Sequence, residues 1–443
     1  MQVVHSEFSE LSKWDINGIR CERYRQAHPT FMPLGECIEE GGPIVRPFDA
    51  PDALWPVYGV DNRIGVSLSY AMAGAEFNQP YKKIIAGDFV HNPTRANVGS
   101  FGRVGNVEAD ALTSPDYQVW RVTTGYLPEF LEILIKTKAF LSLVEMHRVG
   151  AVKRRLFFAN LCEMVLPRPH PDVQKQLVGA YQRALAATKA LEDERNNVTT
   201  AFDRFLADRL HFDPSNFTGT EFSHDVDFSG LDRWDLPFFR TGYLALQHWL
   251  AKFQSSARLG DLATFRFEGW TTEDFPNGEF SYLEIGGVHR VDGITELTPI
   301  AVDEAPSRAQ YRCYKGDMLI SMTRPYMGKI AMVENVGDGS VCSSGFSIIA
   351  ETRKDILKDY LFFLLRSLIG TRQLEQRMSG GSYPAITQTQ LEKIGVPIPV
   401  MTIQKKIAVE GWNTLHRARE ISVRQASVME RAMKPFEALF LTD

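Results

Sequence analysis

Two stretches of this chain carry apolar residues at helical steps for longer than an ordinary helix. Over Val173–Leu210, apolar or small residues fall at Leu177, Tyr181, Ala184, Leu191, Val198, Phe202 and Phe205, at steps of three, four or seven, and Arg195 interrupts the seam. Ile403–Phe440 runs through Ile407, Ala418, Ile421, Val428, Ala432 and Leu439 in the same way, with Pro435 placed to bend or end its last turns. A narrow seam held over about five heptads predicts a coiled-coil helix, roughly 57 Å long at the helical rise. Two such helices in one chain are expected to pair with each other rather than to lie only against their own lobes.

Ahead of each helix the pattern is mixed, and the expected class is α+β. Short apolar runs such as Lys83-Ile84-Ile85 and Asp317-Met318-Leu319-Ile320 predict strands, separated by loop chemistry at Asn92-Pro93, Pro325 and Gly337-Asp338-Gly339. Helical stretches are expected near 128–146 and 355–378. Val165-Leu166-Pro167-Arg168-Pro169 and Gly395-Val396-Pro397-Ile398-Pro399 read as exits from a strand, because proline cannot continue a ladder and holds the residue before it extended. Asp172 and Thr402 then stand as N-caps. The expected boundaries are a lobe over 1–166, a long helix over 167–211, a linker over 212–227 rich in Asp, Asn, Ser, Thr, Gly and Pro, a second lobe over 228–396, and a second long helix over 397–443.

The two halves repeat. Phe8-Ser9-Glu10-Leu11-Ser12-Lys13-Trp14-Asp15 returns as Phe228-Ser229-Gly230-Leu231-Asp232-Arg233-Trp234-Asp235 after 220 positions. Gly87-Asp88, Thr94-Arg95 and Gly99 return at an offset of 229 as Gly316-Asp317, Thr323-Arg324 and Gly328. Leu161, Pro167, Pro169, Gln174 and Lys175 return at 230 as Leu391, Pro397, Pro399, Gln404 and Lys405. Ordered blocks at one offset indicate a tandem duplication, and a pseudo-two-fold protein suits a target with two halves.

Composition adds limits. Five scattered cysteines, none in a C-x-x-C pair, predict reduced thiols and argue against a zinc site. No apolar run approaches a membrane span and no signal-peptide pattern is present, so a cytoplasmic protein is expected. The net charge of −5 argues against a nucleic-acid partner, but residues 81–155 hold 11 Lys/Arg against 7 Asp/Glu, and residues 311–383 hold 10 against 7. Such weakly basic lobes are compatible with DNA.

Catalytic signatures are missing. Met327-Gly328-Lys329-Ile330 is the nearest approach to a phosphate-cradling loop and has the wrong residue after Lys329. There is no H-E-x-x-H, no G-x-S-x-G, and no Asn/Asp-Pro-Pro-aromatic tetrapeptide of the kind that holds a target base. The chain reads as a binding module, with no cofactor of its own. A cryptic duplicated-domain nuclease or transferase, and a purely structural coiled-coil scaffold, are the competing classes.

Several motifs of the second half carry a resemblance. Gly316-Asp317-Met318-Leu319-Ile320-Ser321-Met322-Thr323, Ser343-Ser344-Gly345-Phe346, Tyr360-Leu361, Tyr383-Pro384-Ala385-Ile386 and Val396-Pro397-Ile398-Pro399 with Gln404-Lys405-Lys406-Ile407 resemble the target-recognition domain of specificity (S) subunits of Type I restriction–modification enzymes. The first half resembles it more weakly, with Lys153-Arg154-Arg155 standing in place of the Ser-Tyr-Pro-Ala segment. The resemblance implies two target-recognition domains joined by two long antiparallel helices that set an unread gap, each domain reading one half of a bipartite, asymmetric sequence in double-stranded DNA. It implies two modification (methyltransferase) subunits as partners, bringing S-adenosylmethionine, and restriction subunits bringing ATP, Mg and translocation. A related restriction system with another catalytic partner would fit the same motifs.

The candidate DNA-contacting residues follow from charge beside loop positions that differ between the halves. Arg95 and Arg324 lead, since arginine suits a bidentate contact to guanine or a grip on phosphate. Asn97, Arg103, Lys153, Arg154 and Arg155 join them in the first half, and Tyr326, Lys329, Ser382 and Tyr383 in the second. Gly87-Asp88 and Gly316-Asp317 read as turns that open a strand. Trp14 and Trp234 read as packing residues, and Gln174-Lys175 and Gln404-Lys405 as helix starts used in packing or docking.

Overall fold

The computed structural model of the chain describes residues 16–222, 233, 235–334, 338–381 and 383–441. The Phe8–Asp15 block lies outside them, as do Trp234 and Ser382, and of the second block only Arg233 and Asp235 are described. The chain forms two compact units: Met1–Lys189 with Ala426–Asp443, and Ala190–Gln425. Each unit therefore takes a part of both long helices.

In the first unit, strands Ile38–Glu40, Gln118–Val122, Phe89–His91 and Phe101–Arg103 lie side by side in that order, all antiparallel. Trp120 is paired with Phe89 across the sheet and stacks on it at 4.5 Å, both fully buried. A second sheet orders Ile44–Val45, Tyr81–Lys83, Leu112–Thr113, Leu54–Asp61 and Gly65–Ala73, with Leu54–Asp61 parallel to Leu112–Thr113. In the second unit, Ala263–Arg266, Phe346–Thr352, Met318–Ser321 and Ile330–Met332 repeat the first order, again antiparallel. Ala309–Arg312, Val341–Ser343, Glu279–Leu283 and Thr298–Ala301 repeat the last four strands of the second sheet, including its parallel pair, while Ile44–Val45 has no counterpart among the described residues. The duplication read from scattered blocks is thus a duplication of sheet topology.

The halves differ also in one connection. Between Leu54–Asp61 and Gly65–Ala73 the first unit makes a tight turn, held by Asp61 Oδ1 accepting from the N–H groups of Arg63 and Ile64 at 2.7 Å each. At the corresponding point the second unit inserts a small hairpin, Val288–His289 with Gly293–Ile294.

Two helices cover each antiparallel sheet: Pro128–Leu134 and Lys138–His147, then Lys358–Arg366 and Leu368–Arg377. Each single expected helix is split by a hydroxyl. Thr137 Oγ1 accepts from Phe140 N at 3.1 Å and Ser367 Oγ from Ile369 N at 3.2 Å, so a new helix begins there.

The long helices span Pro171–Leu210 and Met401–Ala438 and pair antiparallel. The second passes through Pro435 without ending there. Both start two residues before the apolar seam. The carbonyls of His170 and Val400 accept the first N–H groups, so Asp172 and Thr402 lie inside the first turn and do not cap it. In the first unit Phe436 packs on Phe130 and Tyr181, with ring centroids 5.5 and 6.2 Å away. In the second, Phe202 and Trp412 meet Phe363 at 5.5 and 5.4 Å, and a Cβ on Gly411 would stand 2.4 Å from the Phe363 ring. Arg195, the intruder on the seam, bonds Ser422 and Gln425 at 3.3 and 3.4 Å. Part of the expected linker is packed: Phe212 and Phe217 lie against Trp249.

One side chain ties each long helix to its lobe. Gln174 is fully buried; its Oε1 accepts from Leu127 N at 2.8 Å, and its Nε2 donates to the carbonyls of Gly125 and Pro169 at 2.9 Å each. Gln404 does the same, with Leu357 N at 2.8 Å and the carbonyls of Asp355 and Pro399 at 2.9 Å. Each amide so joins the proline exit, the helix start and the start of the first covering helix. Leaving three buried backbone groups unpaired costs about 3 kcal/mol. Gln404→Ala is expected to destabilise the second unit by that amount and Gln174→Ala the first. Hydrogen exchange resolved along the chain measures this; an unchanged protection pattern in either variant would refute the anchoring.

A buried histidine is particular to the first unit, its repeat position being Ile320. Trp120 Nε1 donates to His91 Nδ1 at 3.1 Å, so Nε2 carries the ring proton and donates to the Leu156 carbonyl at 3.0 Å. Burial holds the ring's pKa down to about 4, from 6.5. The unfolded chain therefore takes up a proton near pH 6.5 that the folded unit refuses until about pH 4. Stability from this group is complete above the higher value and falls as pH drops through the window, by at most roughly 3 kcal/mol. Urea unfolding of wild type and His91→Gln between pH 7.5 and 4.5 should give a difference that shrinks with acidity; a constant difference would contradict the assignment.

Candidate nucleic-acid interface

In each unit, two loops meet beyond the end of a central strand. In the second unit, Met318–Ser321 runs on through Met322, Thr323 and Arg324 into a 3-10 turn, Pro325–Met327, closed by Gly328 at φ +60°. A hairpin bridged between Ser379 and Ala385, and turning at Gly380 (φ +101°), docks on this segment. Arg324 N donates to the Pro384 carbonyl at 2.7 Å, and Ile386 N to that of Met322 at 2.8 Å.

Arg324 sits at φ +48°, ψ +57°, a left-handed conformation that costs a side-chain-bearing residue roughly 1–2 kcal/mol. The backbone bonds on either side hold it there. Its guanidinium lies 4.6 Å from the Tyr383 ring centroid, and among the described residues none accepts a hydrogen bond from its Nε. Tyr383 is 73% exposed and Tyr326 43%. The result is a cation set on an aromatic face with donors unspent, beside a second exposed ring.

The first unit builds the same junction with different chemistry. Asn92 Oδ1 accepts from the N–H groups of Thr94 and Arg95 at 3.0 and 3.4 Å, turning the chain into Ala96–Val98 and Gly99 (φ +84°). Arg95 and Asn97 are exposed on that turn. The facing hairpin is bridged between Val149 and Arg155 and turns at Gly150 (φ +109°). Leu156 N donates to the Pro93 carbonyl at 3.0 Å. Arg148, which the sequence did not single out, donates to the carbonyls of Thr94 at 3.2 Å and Arg154 at 2.6 Å and so ties the loops together. Lys153 is exposed in the turn of this hairpin and Arg155 at its bridged base.

Three sequence candidates are engaged inside the fold. Arg103 pairs with Glu129 and Glu132 at 2.9 Å each. Arg154 pairs with Glu145 at 2.5 Å and donates to the carbonyls of Glu145 and Arg148. Lys329 donates to the Ile285 carbonyl at 2.8 Å. Arg103 thus ties a strand to a covering helix, and Arg154 and Lys329 hold loops in place. The sequence expressed their charge but not the carboxylates and carbonyls that the fold brings to them. The open candidates are Arg95, Asn97, Lys153 and Arg155 in one unit, and Arg324, Tyr326 and Tyr383 in the other. Arg290 was also missed: it lies beside Gly328 on the inserted hairpin, where the repeat has no counterpart to compare.

Gly87 (φ +93°) and Gly316 (φ +88°) do open strands, as read, but the aspartates after them are buried and do more. Asp88 pairs with Arg121 at 3.1 Å, although burial still raises its carboxyl above the usual range. Asp317 pairs with Arg266 at 3.0 Å. The two arginines come from different strands of the sheet, so the repeat keeps the buried acid and changes the source of its partner. Among the described residues, no group of three or more His, Cys, Asp or Glu side chains could hold a metal ion, and no helix is long and apolar enough to cross a membrane.

Residues 254–409 match the family model of the Type I restriction modification DNA specificity domain. The chain is 29% identical over 138 residues to the HindI specificity subunit of a Type I restriction enzyme from Haemophilus influenzae, covering 31% of this chain and 27% of that protein. It is 26% identical over 130 residues to the MjaVIII specificity subunit of a Type I restriction enzyme from Methanocaldococcus jannaschii, covering 29% and 30%. Each alignment thus spans less than a third of the relative's own length. A solved chain from work on assembly and conformational transition of the type I R-M system aligns over 93% of this chain and 97% of its own, with 15% identity and a TM-score of 0.46. The matched segment, residues 254–409, contains the Arg324–Tyr383 junction, so the likeness to the Type I restriction modification DNA specificity domain falls on the second unit.

Proposed function

We propose that the chain is the DNA-specificity subunit of a Type I restriction–modification enzyme, working in the cytoplasm and reading a bipartite, asymmetric target in double-stranded DNA. The observation that carries this reading is the Arg324–Tyr383 junction: a preset guanidinium with unspent donors, inside the segment that matches the specificity family. A guanidinium fixed by stacking loses little entropy on binding and can make a bidentate contact to guanine O6 and N7. Lys153 and Arg155, long and exposed, suit phosphate contacts that position without selecting sequence. Because one junction pairs arginine with tyrosines and the other combines Arg95, Asn97 and basic residues, the two half-sites differ.

In this reading the chain performs no chemistry. Two modification subunits bring S-adenosylmethionine and the methyl transfer, and restriction subunits bring ATP, Mg, translocation and cleavage. Methylome sequencing of a host with and without the gene should reveal one gapped motif that depends on the chain. Purified alone, the chain should neither methylate nor cleave DNA; methylation should appear once a modification subunit is added. Sustained turnover by the isolated chain would overturn the proposal.

The halves can be tested separately. Arg324→Ala should weaken binding by about 1–3 kcal/mol on targets with an intact second-unit half-site, and hardly at all where that half is scrambled. Tyr383→Ala should act on the same half-site. Lys153→Ala with Arg155→Ala should weaken all duplexes alike and flatten the salt dependence by about one unit of slope for each phosphate no longer gripped. Fluorescence anisotropy on targets scrambled one half at a time reads each effect; equal losses on every duplex for Arg324→Ala would make it a phosphate contact.

A further inference from the structure

In the second unit a cavity of about 350 Å³ opens against the paired long helices, lined by Arg195, Asp203, Arg290 and Arg366 over an apolar floor. Phe202 and Phe363 form that floor, edge to face at 5.5 Å. Its charge is unbalanced. Arg366 donates to the carbonyl of Ile330 at 2.6 Å and to that of Arg290, and carbonyls do not neutralise a guanidinium. Among the described residues, no carboxylate lies within ion-pair distance of Arg195, Arg290 or Arg366. Arg419, close by, is taken by Glu334 at 2.8 Å. Burial, with Arg290 and Arg419 adding like charge, brings the Arg366 pKa down to about 9. Asp203 is held above the usual carboxylate range by burial.

The first unit solves the same position differently. There the covering helix Lys138–His147 has its first N–H groups, of Lys138 and Ala139, bound by the Glu437 carboxylate at 2.6 and 3.1 Å. The corresponding helix of the second unit, Leu368–Arg377, starts at Ser367 on the cavity wall. At the 230-residue offset, Glu437 corresponds to Ala207, Tyr181 to Gly411 and Lys136 to Arg366. The second unit therefore lacks both the acid that binds this helix start and the Tyr181 ring that packs on Phe436, and it has Arg290 from the inserted hairpin in addition.

We infer that this cavity binds a small organic anion, a phosphate monoester or carboxylate of metabolite size, with its charge between Arg290 and Arg366 and its body on Phe202 and Phe363. The anion takes the electrostatic role at this helix start that Glu437 plays in the other unit. Asp203 accepts a hydrogen bond from a hydroxyl or amino group of the ligand, and its charge disfavours entry of a polyanion such as DNA. The volume lies at the lower end for small-molecule sites. The site is independent of the proposed DNA-reading function.

Phenyl phosphate is the probe, with benzyl alcohol as its neutral counterpart and inorganic phosphate as the bare charge, titrated calorimetrically into the full chain at fixed ionic strength. Phenyl phosphate should bind at one site per chain and raise the thermal midpoint, benzyl alcohol should not, and inorganic phosphate should bind at least tenfold more weakly than phenyl phosphate. Arg290→Ala should weaken phenyl phosphate at least tenfold. Arg366→Gln should do so too, and because that side chain is deeply engaged, Thr199→Trp at the partly exposed cavity wall serves as a second block that leaves the charges in place. The inference is overturned by no binding beyond the chloride control, by equal affinity for phenyl and inorganic phosphate, by undiminished affinity in both Arg290→Ala and Thr199→Trp, or by stoichiometric displacement of phenyl phosphate by a short duplex.

Discussion

A buried glutamine amide at the root of each long helix is the interaction on which the rest of the structure depends. Gln174 and Gln404 each satisfy three backbone groups, two on the loop before the covering helix and one at the proline exit, and no other side-chain type of that size offers one acceptor and two donors from a single planar head. A proline exit releases the strand, the amide catches the released chain, and the helix leaves at a set angle to its lobe. A tyrosine reinforces the same joint in each unit, just before the covering helix in the first and on it in the second: Tyr126 donates to the Pro167 carbonyl at 3.2 Å, and Tyr360 to that of Pro397 at 2.8 Å.

With the frame held by such buried bonds, the loops are free to diverge. The antiparallel sheets, their order and the glycines at positive φ repeat, while the chemistry at the loop junctions does not. Arg324 takes a left-handed backbone and an aromatic partner; Arg95, at the same register, stays right-handed and exposed. Even the buried aspartate of each unit finds its arginine on a different strand. The inserted hairpin brings Arg290 to one unit only, beside a charged cavity lined by Gly411, and the other unit has Tyr181 and Glu437 where this one has Gly411 and Ala207. Duplication followed by divergence at loops gives one frame two recognition surfaces, which suits a target with unlike halves.

By itself the sequence determined the duplication, the α+β class, the two long helices and the absence of catalytic motifs. All of these rest on period, order or the presence of a residue type, which survive in one dimension: a seam spaced by three and four residues buries one helix face whatever lies opposite, and a proline ends a ladder in any context. Tertiary structure alone decided which charges are open. Arg103, Arg154 and Lys329 look like Arg95, Lys153 and Arg324 along the bare chain, and differ only because Glu129, Glu132, Glu145 and the Ile285 carbonyl come within 3 Å of the first three. The same holds for the helix starts, which fall after His170 and Val400, whose carbonyls accept the first helical N–H groups, and not after Asp172 and Thr402 as residue type suggested. Arg290 and Ala207 became informative only once the sheets could be laid on one another, because an insertion and a missing side chain leave no motif to match.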